Sequence, residues 1–101
     1  MYIYNVTLKI QPTVKEEWLS FMLNEHIPEI MDTLLFSDYR VCHLLDQNEE
    51  DGVTYVVQYY FNVLGNYTNY EQNFAPAIRK KHTDKFKDRF VAFRTVMEVV
   101  S

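Results

Sequence analysis

The 101-residue sequence predicts an α+β domain of six elements in the order strand–helix–strand–strand–helix–strand. Three observations carry that expectation. The runs YIYNVTLKI (2–10) and VTYVVQYYF (53–61) are dense in β-branched and aromatic residues, which suit a pleated surface. Apolar residues from Val14 to Ile30 recur at helical spacing. The chain then closes on FVAFRTVMEVV (90–100), again strand-like.

Taken in order, the first strand covers 2–10 and ends at Pro12-Thr13. Thr13-Val-Lys-Glu16 reads as a capping box, Thr13 bonding forward and Glu16 reaching back, and opens a long helix to about Leu35. A second strand spans about Tyr39 to Leu45, and QNEEDG (47–52) is an acidic turn ending in glycine that suits a hairpin. The third strand is 53–61. Asn66 is placed to cap a second helix, which Pro76 should break and restart from a first-turn position, where proline is tolerated. Residues 90–100 form the last strand, and nothing in the chain reads as a linker or repeat.

This order is the split βαβ, or ferredoxin-like, arrangement: one domain over 1–101, a four-stranded antiparallel sheet with two helices on one face. Both faces of the third and fourth strands are largely apolar. Val91, Phe93, Met97 and Val99 oppose Phe90, Ala92, Val96 and Val100. Two helices cover only one face, and soluble monomers seldom leave a wide apolar sheet bare. A second copy of the sheet is the expected cover, which makes the chain a homodimer.

Composition narrows the function classes. A single cysteine, Cys42, rules out an internal disulfide and fits a reducing compartment. The N-terminus lacks an apolar leader and no run approaches the ~20 apolar residues of a membrane span, so the expectation is a cytoplasmic protein with no membrane partner. The net charge of −4 argues against a nucleic-acid partner. Tyr2, Tyr4, Tyr55 and Tyr59 could pass for a base-stacking platform, but the glycine-bearing recognition motif is missing from the third strand. Six of the ten basic residues lie in RKKHTDKFKDR (79–89), which reads as a solvated helix face rather than an anion site.

The candidate site lies in LNEHIPEIMD (23–32). At about 100° per residue from Trp18, Glu25 and Glu29 fall within about 20° of the inward direction and His26 about 80° away. Three ionisable groups thus interrupt the inward stripe. Pro28 should bend or divide the helix and lift its second half off the sheet. The cleft so opened would be lined by Trp18, Met22, Glu25, His26 and Glu29, with His26 as acid–base group poised near neutrality by a glutamate. If the helix end merely rises above the core, the glutamates are solvated and His26 is a packing residue. His26-x-x-Glu29 lacks a third ligand in reach, so no metal site is expected. Arg40 and Arg94 are charges inside strands, each suited to clamp a carboxylate or to pair at a sheet edge. His82 shares a face with Ile78 and Phe86 and reads as core or interface.

YNVT, EEWL with HIPE, GVTYVVQY, and FAPAIRKKHTDKF with RFVAFRT together resemble the bacterial domain-of-unknown-function family numbered 4286. The resemblance implies the dimeric α/β-barrel superfamily of the antibiotic-biosynthesis monooxygenases, whose members hold small ligands between sheet and helices. Asn5 resembles an asparagine of its haem-degrading members, without their other haem-binding residues. The expected function is therefore binding of a small, aromatic molecule, with Asn5 and Arg40 added to the ligand-binding candidates and no cofactor. It is either a cofactor-independent monooxygenase- or isomerase-like enzyme or a non-catalytic dimeric ligand-binding or scaffold protein. No nucleophile–base pair, phosphate loop or cofactor fingerprint points elsewhere.

Overall fold

The computed structural model describes residues 1–101 in full. Strand β1 is Tyr2–Ile10, and β3, Val53–Phe61, lies antiparallel beside it along its whole length. Strands β2 (Asp38–His43) and β4 (Phe90–Glu98) form the two edges, giving the order β2-β3-β1-β4. The first helical region is made of a 3₁₀ turn (Pro12–Val14), α1 (Lys15–Phe21), a π-helical turn (Met22–His26) and α2 (Ile27–Met31). Helices α3 (Leu64–Asn73) and α4 (Ala75–Phe86) are split at Phe74, with Pro76 in the first turn of α4, where its missing N–H costs no helical bond.

The expected arrangement holds, with local corrections. The capping box is absent: Thr13 sits inside the 3₁₀ turn, and α1 has no side-chain cap. The helix stops at Met31 rather than Leu35, and Leu34 takes a left-handed φ of 63° that turns the chain toward β2. Helix α3 begins at Leu64, before Asn66, whose amide donates instead to the Leu35 carbonyl at 3.2 Å. Strand β2 closes at His43 and β4 at Glu98, each two residues early.

All helices lie on one face. There Tyr4, Val6, Leu8 and Ile10 of β1, and Val53 to Phe61 at alternate positions of β3, are buried with Trp18, Met22, Ile27, Ile30, Tyr70, Ile78 and Phe86. Tyr4, Tyr55 and Tyr59 thus belong to the core and cannot stack bases. The registry places Phe90, Ala92 and Arg94 on this helix side of β4.

The opposite face is open. Val91, Phe93 and Met97 stand on it, with Val91 68% and Phe93 62% exposed. One polar row crosses all four strands, Arg40–Gln58–Asn5–Thr95. Tyr60 Oη donates to Gln58 Oε1, Gln58 Nε2 to Asn5 Oδ1, and Asn5 Nδ2 to Thr7 Oγ1, at 3.0–3.2 Å. No helix is long and apolar enough to cross a membrane.

Candidate functional site

The π turn decides what the first helix shows the sheet. Its backbone closes one residue late, with Ile27 N–H donating to the Met22 carbonyl. That extra residue rotates everything beyond it. Ile30 takes the inward place that a regular wheel gives Glu29, and Ile27 is buried beside it. Glu29 turns outward and pairs with Lys81 at 2.7 Å, while Glu25 is exposed. Both line a shallow outer depression with Pro28 and Asp32, away from the core. Pro28 does not lift the helix from the sheet; it sits exposed in the first turn of α2.

His26 closes the π turn and borders both the outer depression and an inner cleft. The cleft has Tyr4, Val6, Leu8, Val57 and Tyr59 of the sheet as its floor and Met22, Ile30 and Tyr70 as its roof. His26, Arg79, His82 and Arg94 supply its polar groups. Its free interior is about 20 Å³, room for one water. It reaches the β4 edge, where Arg94 is exposed and makes no ion pair or side-chain hydrogen bond.

Trp18 is not on the wall of this cleft. Its ring is wholly buried against Tyr55, and its Nε1–H donates to His82 Nε2 at 2.8 Å. Asn5 and Arg40 lie on the far side of the sheet, in the polar row of the open face. Of the expected site residues, then, only Met22 and His26 meet in the cleft. Three partners were not assigned to it from sequence: Arg79, His82 and Arg94. The usable signal was parity, since Arg94 alternates with the inward Ala92 and Phe90, and Arg79 and His82 stand three apart on one helix.

The electrostatics also differ from expectation. No glutamate hydrogen-bonds His26. Burial, then His82, Arg94 and Arg79, push its pKa down to about 3, so it is not poised near neutrality. Burial and Arg94 lower His82 to about 4. Both imidazoles are neutral at pH 7. Burial holds the Tyr59 and Tyr70 hydroxyls protonated far above their ordinary range. Arg79 holds Glu71 with both terminal nitrogens and donates to Tyr4 Oη at 2.8 Å, while its buried Nε–H has no partner. No three His, Cys, Asp or Glu side chains gather into a metal-binding group.

Residues 1–100 match the family described as Domain of unknown function (DUF4286). The chain belongs to this family. Among curated proteins, none matches. Solved structures similar to this DUF4286 chain share its fold at low identity. A dimeric ferredoxin-like protein from an uncultured marine organism has a TM-score of 0.70 at 13% identity, covering 100% of this chain and 96% of its own. An ethyl tert-butyl ether D (EthD) family protein from Bacillus halodurans C-125 has a TM-score of 0.68 at 16% identity, covering 99% of this chain and 100% of its own. SnoaB of Streptomyces nogalater, a cofactor-independent oxygenase, has a TM-score of 0.65 at 7% identity, covering 99% and 94%. At such identities the likeness speaks for the ferredoxin-like fold.

Proposed function

We propose that this DUF4286 chain is a homodimeric ligand-binding protein that takes a small aromatic molecule in the cleft between its sheet and helices. The observation that carries this reading is the convergence of Arg79, Arg94, His26 and His82 on one opening whose other walls are apolar side chains and tyrosines. The unpartnered buried Nε–H of Arg79 and the unpaired guanidinium of Arg94 at the mouth are groups that a core serving packing alone does not require, so their collection in one place favours a site. A ring enters by displacing the single-water space and moving flexible Met22 and the exposed Arg94. The dimer covers the open face bearing Val91 and Phe93, and a dimeric protein of the same fold supports it.

The enzymatic form of this reading is a cofactor-independent oxygenase- or isomerase-like reaction begun by proton transfer to His26. SnoaB, of the same fold, is such an oxygenase, which supports the class only by analogy. The strongly lowered pKa of His26 favours the second reading, a non-catalytic binding dimer, because a base that weak abstracts protons poorly at pH 7.

Trp18 fluorescence tests the binding step, since the only tryptophan touches the cleft through His82. A screen of small aromatic acids and quinones should shift its emission for at least one class, and His26→Ala should weaken that response while the protein stays folded. An emission unmoved by every compound, together with a large loss of stability in His26→Ala, would make His26 a packing residue and remove the site.

A further inference from the structure

Hydrogen-bond direction identifies what the cleft is built to receive. An indole N–H can only donate, so His82 Nε2 accepts from Trp18 and carries no proton. The neutral ring must then hold its proton on Nδ1, which has no hydrogen-bond partner in the chain. Arg79 points the same way. Its terminal nitrogens are taken by Glu71 and Tyr4, while its buried Nε–H donates to nothing. Arg94 is an unpaired guanidinium at the open end. Tyr4 Oη already accepts from Arg79, which leaves its own proton to give.

The charges follow the same sense. Glu71 is the acid held by Arg79, and both of its oxygens are engaged there. Arg94 therefore has no compensating charge. An apolar cleft with three tyrosines in its lining that offers several N–H groups and an uncompensated guanidinium wants an acceptor with negative charge. The planar fork of an arginine matches a carboxylate best.

We infer that the ligand is a small aromatic carboxylate, its carboxylate held by Arg94, Arg79 Nε–H and His82 Nδ1–H, with Trp18 as the positioning residue that fixes the His82 tautomer. This rests on the ligand-binding reading and names its substrate class. His82 and the two arginines are binding groups, and Trp18 acts through His82 without touching the ligand.

The experiment uses the full chain and matched acid–amide pairs: benzoate and benzamide, salicylate and salicylamide, 2-naphthoate and 2-naphthamide. Binding is followed to millimolar concentration by Trp18 emission and by the ring proton–nitrogen NMR correlations of His82. The free protein should show His82 with its proton on Nδ1. At least one acid should bind about tenfold or more tightly than its amide, as a charge-assisted hydrogen bond would give. Arg94→Gln, at an exposed position of β4, should abolish that preference. Amides that bind as well as acids, an Arg94→Gln protein that keeps the preference, or a His82 ring protonated on Nε2 would overturn the carboxylate assignment while the cleft remains a ligand site. If no member of any pair perturbs either reporter, the ligand-binding reading itself fails, and the assignment with it.

Discussion

Trp18 Nε1 and His82 Nε2 meet at 2.8 Å inside the protein, joining α1 to α4 across 64 residues of chain. The bond ties two of the helices that cover the sheet, and its acceptor ring lines the cleft. Trp18→Phe removes the donor and leaves a buried nitrogen without a partner. The expected cost is about 2–4 kcal/mol, part lost bond and part lost volume. Urea unfolding of the two proteins measures it. His82→Gln, which keeps an acceptor oxygen within reach, should cost less than Trp18→Phe; the reverse order would mean that the bond contributes little.

Acid should unfold the protein early. The folded values of His26 and His82, about 3 and about 4, lie below the ordinary 6.5. The unfolded chain therefore binds more protons than the folded one as pH falls below 6.5. The stability these groups contribute is fully present above that value and declines through the window down to about 4 and 3. The slope approaches about 1.4 kcal/mol per pH unit for each histidine. Denaturation midpoints at pH 7.5, 6 and 5 should fall in that order. A flat profile would show that the rings are solvated.

The open sheet face should hold the dimer. Light scattering coupled to gel filtration should give twice 12.2 kDa, and urea midpoints should rise with protein concentration. Phe93→Asp places a charge on that face and should yield monomer or unfolded chain. A well-folded Phe93→Asp dimer would place the interface elsewhere.

Pro28 should matter less than its position suggests. It is exposed in the first turn of α2, and the π turn before it already sets the rotation. Pro28→Ala is expected to change stability by under about 1 kcal/mol and to leave Ile27 and Ile30 buried. Loss of several kcal/mol in urea unfolding would mean that the proline, not the extra residue, shapes the helix.

Much of the fold was legible because strand signals are local. The alternation in 2–10 and 53–61 fixes both central strands to the residue, and Pro76 marks the break between α3 and α4. The site was less legible because it depends on register. A wheel of constant step turns Glu25 and Glu29 inward, yet the buried row is Trp18, Met22, Ile27 and Ile30, whose spacings of four, five and three carry the signature of one inserted residue. His26 and Met22 were within reach of the pattern. The carboxylate-facing groups were not, because Arg79, His82 and Arg94 come from two elements and meet only when β4 lies beside β1 under α4. Asn5 and Arg40 were separated from them by the thickness of the sheet.

The π turn has a consequence for how this helix tolerates length change. Deleting a residue from a regular helix rotates all that follows by about 100° and turns its buried face to water. Here the deletion of Asn24 would instead let Met22–His26 close as ordinary α-helix, with Trp18, Met22 and Ile30 still facing the sheet. The shortened chain should fold. His26 lies beyond the deleted residue and four before Ile30, so it keeps its direction beside the cleft along with Ile27 and Ile30. The surplus residue is thus dispensable both to the architecture and to the placing of the imidazole.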